Sequence, residues 1–157
     1  MIAGAVGVGF FLIFLLALSD RKKKQTSEVP LDFTQTEFEK LCVQVIEGMK
    51  LDIEEASRSD STQVDIIAVN SVPIIGGKLL VHCLYEKPEQ VIGTAEILEL
   101  SNRVISERLS KGIFITTASF TDEIPGISEL APLEFIDGKA FRKLIEKYVP
   151  DYFAIRS

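Results

Sequence analysis

Two short apolar segments around a turn-forming break restrict the fold of this chain more than any other feature of its sequence. Residues 64–69 and 78–84 are rich in β-branched and aliphatic side chains, and residues 73–77 between them include one proline and two glycines. This pattern predicts two adjacent β-strands that form a hairpin. One carboxylate, Asp65, interrupts the first strand. Because an unpaired charge is costly to bury, Asp65 must be paired, protonated or bound to a metal.

The rest of the pattern predicts an α/β fold in which helices flank a mixed β-sheet. Helices are predicted at residues 34–47, 88–110, 121–130 and 138–147, and further strands at 50–56, 113–117 and 133–136. The strand at 113–117 is apolar on both faces, as expected where helices cover both sides of a sheet. In the long second helix, the side chains predicted to face inward are Ile92, Ala95, Leu98, Val104, Ile105 and Leu109. The predicted domain covers residues 32–148, with a C-terminal tail at 149–157.

An uncharged apolar run at residues 2–18 predicts one transmembrane helix, because it is just long enough to cross a bilayer. Residues 1–19 are therefore interpreted as an anchor and residues 20–31 as a polar linker. Residues 21–24 of this linker are all basic, which places the linker on the cytoplasmic side and the N-terminus outside. The expected location is a single-pass membrane protein with a cytoplasmic domain.

The same N-terminal region leaves two alternatives open. A cleaved signal peptide is one, but no basic residue precedes the apolar run and four follow it directly. The second concerns association, since the spacings Ala3/Gly7 and Ala5/Gly9 permit close helix pairing in lipid and thus a homodimer. A glycine-rich anchor without such pairing explains these residues equally well.

Several short motifs resemble the catalytic domain of Mrr-type (type IV) restriction endonucleases, within the PD-(D/E)xK superfamily. They fall in the family's order and cover roughly residues 34–147. They are the segments 37–41 (FEKL after Glu37), 48–51 (GMKL), 64–66 (VDI), 111–121 (KGIFITTASFT) and 133–138 (LEFIDG). The resemblance implies a restriction-endonuclease-like fold and an ancestry in DNA binding and DNA cleavage.

Carried over to this chain, the family pattern puts its helix carboxylate at Glu39 and its metal-binding aspartate at Asp65. Its Gln/Glu position falls on His82 and its lysine position on Leu84. In an active member, Glu39 and Asp65 would hold Mg²⁺, which favours oxygen ligands, and His82 would be a ligand or proton carrier. Leucine has no charge to assist hydrolysis, so the resemblance predicts a degenerate active site at Leu84.

Each candidate residue also has a structural interpretation. A single histidine on an apolar strand is more often hydrogen-bonded within the fold than bound to a metal. Asp65 could pair locally, and Glu39 could be a solvated helix residue. Lys87 could reach back toward the site, although it lies beyond the strand end. Cys83 alternates with His82 and is predicted to face the opposite side of the sheet.

Charge argues against strong DNA binding. The chain carries a formal charge of −6, and its first 30 residues hold four of the 17 basic and two of the 23 acidic residues, so the remainder carries −8. Non-specific DNA affinity comes mostly from basic groups that neutralise phosphates. The two cysteines form no zinc motif and fit a reducing compartment.

Two functions therefore remain. The first is a membrane-anchored, catalytically degenerate Mrr-like domain that binds or assembles with an unidentified partner in the cytoplasm. The second is an active metal-dependent DNA endonuclease of the Mrr group.

Overall fold

A computed structural model of the chain describes residues 32–124 and 130–156. The predicted anchor at residues 2–18 and the predicted linker at 20–31 lie outside these ranges. Among the described helices, none is both long and apolar enough to cross a bilayer.

The described residues form four helices and seven strands. The helices are α1 (Gln35–Gly48), α2 (Thr94–Ser106), α3 (Gly138–Tyr148) and α4 (Asp151–Ala154). The strands are β1 (Asp52–Arg58), β2 (Gln63–Asn70), β3 (Gly77–Leu84), β4 (Val91–Ile92), β5 (Lys111–Thr116), β6 (Ser119–Phe120) and β7 (Leu133–Ile136).

Five of these strands form one mixed sheet in the order β1-β2-β3-β5-β7. The first three are antiparallel neighbours, whereas β5 runs parallel to both β3 and β7. The change in direction follows from the connections. A tight turn joins β2 to β3, but a parallel pair needs a long crossover, which α2 supplies between β3 and β5. The predicted mixed sheet flanked by helices is confirmed.

The two faces of the sheet are covered by different helices. On one face α1 and α3 pack together over the sheet, with Phe38 and Phe141 in edge contact at 5.4 Å. On the other face α2 covers the sheet through Leu100 and Val104, which pack with Phe114. Because side chains alternate along a strand, neighbouring residues of β2 and β3 belong to different cores. Cys83 lies in the α1 core, as predicted.

Two reciprocal hydrogen bonds cap the start of α1. The Thr34 hydroxyl accepts a hydrogen bond from the Glu37 backbone N–H, and the Glu37 carboxylate accepts one from the Thr34 N–H at 2.9 Å. This reciprocal capping satisfies two backbone donors that a helix start leaves without partners. The predicted helix at residues 34–47 is therefore found within one residue at each end.

The prediction of one helix from Pro88 to Ser110 is wrong at both ends and in part of its buried face, although Ile92 and Val104 are buried as predicted. Residues 91–92 pair with 119–120 as the small sheet β4–β6, and α2 begins only after Gly93. Its buried side chains are Ile97, Leu100, Ser101 and Val104. Leu98 and Ile105 are instead 42% and 59% exposed. The segment carries two apolar stripes, and only contact with β3 and β5 decides which one is buried.

Two further segments differ from the predictions. Residues 121–124 are not helical, and residues 125–129 of the predicted short helix lie outside the described residues. The predicted tail at 149–157 contains α4, whose Tyr152 packs against Phe33 with ring centroids 5.8 Å apart. The end of the chain therefore contributes to the α1 core.

Candidate functional site

Asp65 and His82 lie directly opposite each other on β2 and β3. The two residues are register partners in the antiparallel pair, so their side chains leave the same face of the sheet. Asp65 Oδ1 lies 2.6 Å from His82 Nδ1. Asp65 is buried, with 7% of its surface exposed. The lone acid in the apolar strand is therefore paired within the fold.

The other oxygen of Asp65 is held by residues that the sequence analysis did not single out. The Arg103 guanidinium on α2 donates from Nη1 to Asp65 Oδ2 at 2.8 Å. The Ser59 hydroxyl, in the turn between β1 and β2, donates to the same oxygen at 2.9 Å. Both carboxylate oxygens thus have partners, and the buried negative charge has a cation beside it.

The pKa of Asp65 records this balance. Burial alone would raise the pKa of this carboxyl, because a charged group is poorly solvated inside a protein. Hydrogen bonds from His82, Arg103 and Ser59, together with attraction to His82, outweigh burial. They lower the pKa from 3.8 to about 2.

The low pKa of Asp65 predicts a loss of stability in acid. A carboxyl whose pKa is lower in the folded state stabilises the fold above its unfolded pKa, and this contribution disappears as the pH falls toward the folded pKa. We expect the free energy of unfolding to fall by about 2 kcal/mol from this group between roughly pH 5 and pH 2. Urea unfolding across this range measures it. In Asp65→Asn the same stretch of the curve should be flatter, and an equal slope in both proteins would contradict the assignment.

His82 is oriented by a second contact as well as by Asp65. Its ring lies edge-on to Phe114 on β5, with centroids 4.8 Å apart and planes at 83°. Since Ser59 bonds to Asp65 and not to His82, these residues do not form the Ser-His-Asp order that activates a serine nucleophile. The contact with Asp65 fixes the Nδ1 side of the His82 ring. His82 also lines a pocket.

This pocket has a volume of about 100 Å³ and lies between the sheet and α2. Two glutamates of α2, Glu96 and Glu99, are exposed at its margin. The full lining consists of Ser59, Gln63, Asp65, His82, Leu84, Glu96, Glu99, Leu100 and Arg103. The pocket is therefore small and mixed in charge, with Arg103 bound to Asp65 on one wall.

The structure does not bring Glu39 to this pocket. Glu39 lies on α1, which covers the opposite face of the sheet from α2. Its carboxylate binds Arg58 Nη2 at 2.6 Å and Gln35 Nε2 at 3.2 Å. Of the sequence-predicted site residues, Asp65 and His82 are thus in contact, whereas Glu39 is engaged elsewhere.

The position predicted for a catalytic lysine also lies at the pocket. Leu84 lines it and is buried, packing in the α2 core. Lys87 is exposed and is not part of the pocket lining. The guanidinium that contacts Asp65 belongs to Arg103, which comes from a different element.

Comparison with protein families assigns the domain to a family. The family model Mrr_cat, described as "Restriction endonuclease", matches residues 31–145. This chain belongs to that family. The Mrr-type resemblance noted in the sequence is therefore confirmed, over nearly the whole folded domain.

Two solved structures share the fold of this Mrr-family domain. One is described as "DNA modification-dependent restriction endonuclease AspBHI", with a TM-score of 0.52 and 11% identity over 72% of this chain. The other is "MspJI Restriction Endonuclease in Complex with 27-mer Oligonucleotide", with a TM-score of 0.50 and 16% identity over 76% of this chain. The match spans only 33% and 28% of those two chains. A search of curated proteins found no match.

Metal-dependent members of such a family need oxygen ligands for a divalent cation, and the described residues do not fit that need. Both oxygens of Asp65 are already engaged, and the Arg103 guanidinium would repel a cation there. Within residues 32–124 and 130–156, no group of three or more His, Cys, Asp or Glu side chains could hold a metal ion. The assignment of Mg²⁺ to Asp65 and Glu39 stays a prediction from the resemblance.

Arg103 and Ser59 are the site residues that sequence reasoning missed. Arg103 is 38 residues from Asp65 along the chain, so no local pattern links them. One signal was available: Arg103 is the only basic residue of α2 and directly precedes the buried Val104. A charged residue at the border of an apolar stripe is a reasonable partner for a buried acid of opposite sign.

Proposed function

We propose that this chain is a membrane-anchored protein of the Mrr restriction endonuclease family whose active site no longer cleaves DNA. Residues 2–18 hold it in the bilayer, with the N-terminus outside. The folded domain acts in the cytoplasm as a binding or assembly module.

One observation carries the proposal: an arginine side chain neutralises Asp65 at the position where a nuclease would hold its metal. Arg103 Nη1 lies 2.8 Å from Asp65 Oδ2, Ser59 donates to the same oxygen, and His82 contacts Oδ1. The missing lysine at Leu84 agrees with this interpretation, because that position faces the same pocket. In this proposal, the retained Asp65 belongs to an ion network within the fold and no longer to a metal site.

The charge around the pocket supports the same conclusion. Exposed Glu96 and Glu99 stand at its margin, and the region after residue 30 carries a formal charge of −8. A DNA phosphate that approached this pocket would meet repulsion from both glutamates. DNA is therefore a weak candidate for the partner of this surface.

An active metal-dependent DNA endonuclease is the second candidate. Family membership favours it, as does the retention of an aspartate at Asp65. The MspJI structure contains an oligonucleotide, which makes DNA binding by a related fold a reasonable hypothesis for this chain. For cleavage, Mg²⁺ would have to displace Arg103 from Asp65.

Plasmid cleavage separates the two candidates. We expect the full chain in detergent to leave supercoiled plasmid intact with Mg²⁺ or Mn²⁺, because no metal competes with Arg103 for Asp65. Two variants complete the test. Asp65→Ala removes the carboxylate and is the control for loss of activity. Leu84→Lys combined with Arg103→Ala restores a lysine to the site and removes the guanidinium from Asp65. Divalent-dependent nicking by the natural sequence that disappears in Asp65→Ala would overturn the proposal. Cutting by the double variant alone would support it.

The orientation in the membrane has its own test. With the domain in the cytoplasm, a protease added to intact cells should leave the folded domain uncut, and the same protease should digest it after the cells are broken. An antibody against an epitope attached after Ser157 reads out both conditions. Digestion of the domain in intact cells would contradict this orientation.

A further inference from the structure

We propose that the pocket beside Asp65 binds the side-chain ammonium group of a lysine supplied by a partner protein. The pocket lies between the sheet and α2, and its lining includes Glu96, Glu99 and His82. The inference rests on the proposed function, in which the domain is a binding module. It adds the chemical class of the ligand and the place on the domain where the partner docks.

The volume of the pocket limits what can enter it. Its volume of about 100 Å³ gives room for roughly three water molecules at about 30 Å³ each. Pockets for cofactors and for small-molecule ligands of drug size are larger, on the order of 300–1,000 Å³. The pocket therefore has room for one extended side chain of a partner protein but not for a nucleotide.

The charged groups of the lining favour a cation. Three carboxylates, those of Asp65, Glu96 and Glu99, are accompanied by one guanidinium, that of Arg103, so these four groups sum to −2. Arg103 is already bound by Asp65 at 2.8 Å and by Glu107 at 3.3 Å. In contrast, Glu96 and Glu99 have no ion-pair partner among the described residues. They lie three residues apart on α2 and are therefore neighbours on its surface.

The free hydrogen-bonding groups of the lining are mainly acceptors. The Ser59 hydroxyl and the Arg103 guanidinium already donate to Asp65. The His82 side chain is only 14% exposed, and its Nε2 has no partner among the described residues. In a neutral ring that donates from Nδ1, Nε2 is an acceptor. An ammonium group complements such a lining, because it has three N–H donors and no acceptor.

The apolar part of the lining suits the alkyl stem of lysine. Leu84 and Leu100 line the pocket and are buried. A lysine side chain packs its methylene groups on apolar surface and keeps its charge near water, where the exposed glutamates of α2 lie. Arginine is less suitable, because its planar fork binds a carboxylate bidentately. Asp65, the buried carboxylate of the pocket, is already engaged at both oxygens.

Titration of the full chain with a lysine derivative tests the proposal. His82 is the single histidine of the sequence and lines the pocket, so its imidazole NMR signals report on this site. The probe is Nα-acetyl-lysine methylamide, added to protein in neutral detergent with EDTA while NaCl keeps the ionic strength constant. We expect a saturable shift of the His82 signals, with a dissociation constant on the order of millimolar because exposed carboxylates bind weakly. Intermolecular NOEs between the probe and the His82 ring should accompany it.

Matched probes show which part of the ligand is recognised. Acetylation of the probe at Nε keeps the stem but removes the charge, and this compound should cause no shift. No saturable shift with the lysine probe at concentrations on the order of 100 mM, where a millimolar site is filled, would overturn the proposal. Equal or tighter binding of the matching arginine derivative would overturn the choice of lysine. Tighter binding of putrescine, a free diamine, would overturn the assignment to a partner protein.

Two double variants with the same change in charge assign the binding to the pocket. Glu96→Gln with Glu99→Gln should weaken binding of the probe by up to about 25-fold, since each exposed contact contributes up to about fivefold. Glu47→Gln with Glu55→Gln removes two negative charges at exposed positions of α1 and β1 and should leave binding unchanged. Equal weakening in both double variants would mean a general attraction to an acidic domain and would overturn the proposal.

A single variant guards against a change in the structure of α2. Glu96 lies in the first turn of this helix, where an acid is favourable, whereas Glu99 lies beyond it. Glu99→Gln alone should therefore keep the His82 signals of the free protein and still weaken binding of the probe, by up to about fivefold. Unchanged binding in this variant and in the double variant would overturn the proposal.

The titration and plasmid cleavage have separate outcomes. Cleavage decides whether the chain still hydrolyses DNA, whereas the titration in EDTA decides what the pocket binds. A chain that cleaves plasmid and also binds the lysine probe would support this inference and overturn the degenerate function. A chain that does neither would support the degenerate function and overturn this inference.

Discussion

Replacement of Arg103 by methionine is expected to lower the free energy of unfolding by about 2–3 kcal/mol. Methionine preserves most of the apolar stem of arginine but leaves the buried Asp65 without its guanidinium partner. Removing one member of a fully buried ion pair costs about 3–5 kcal/mol. We expect a smaller loss than for a fully buried pair because 34% of the Arg103 side chain is exposed and His82 still contacts the carboxylate. Urea unfolding at neutral pH measures the change.

A double-mutant cycle tests whether that cost is electrostatic. Asp65→Asn removes the charge with little change of shape, so Asp65→Asn combined with Arg103→Met should be more stable than Arg103→Met alone. Lys78→Met is the control, because Lys78 pairs at 2.7 Å with Glu54 and both side chains are exposed, so the loss should be no more than about 1 kcal/mol. If the changes in the free energy of unfolding caused by the substitutions at Asp65 and Arg103 were simply additive, the ion pair would not be the source of the lost stability.

Truncation of Phe114 to alanine is expected to have the largest effect of any substitution near the site, about 3–5 kcal/mol. Phe114 lies on β5, is fully buried, and contacts His82 on one side and Phe120 on the other. Its removal leaves a cavity between α2 and the sheet and also frees the His82 ring from its edge contact. Thermal unfolding reports the lost stability, and the imidazole resonances of this single histidine report the lost contact.

Phe120→Ala provides the comparison for Phe114→Ala. Phe120 makes the next ring contact at 5.2 Å but is only half-buried, so its truncation should cost less and should leave the His82 resonances nearly unchanged. Equal losses of stability in the two variants would mean that Phe114 is not the central contact between His82 and Phe120.

The parts of the fold that could be predicted were those whose signal is local. The strands predicted at residues 64–69 and 78–84 lie within one residue of β2 and β3, because the apolar β-branched runs and the turn residues mark their ends. The predicted start of α1 lies within one residue of the observed one, where Thr34 caps the helix. In contrast, β4 and β6 have two residues each and exist only because they meet each other, so no window of sequence indicates them.

The residues of the candidate site were likewise predictable only where the sequence signal is local. The sequence required that Asp65 be paired, protonated or bound to a metal, and the hairpin register placed His82 opposite it. It could not supply Arg103, because that contact depends on how α2 crosses from β3 to β5 and on which stripe of α2 faces the sheet. Glu39 was grouped with Asp65 through the resemblance, yet helix and strand alternation put the two on opposite faces. Which of the two apolar stripes of α2 is buried depends on tertiary contacts, and helix propensity carries no information about it.

The strand order of the main sheet bears on how the chain folds during synthesis. In the order β1-β2-β3-β5-β7, each strand after β1 pairs with one that the ribosome has already made, so the sheet can grow at a single edge as the chain emerges. The core that α1 and α3 form on one face of the sheet cannot be completed so early. Phe141 of α3 is synthesised more than 100 residues after Phe38 of α1, which it contacts. A nascent chain stalled before α3 would therefore expose the apolar surface of α1 that packs on α3 in the finished fold.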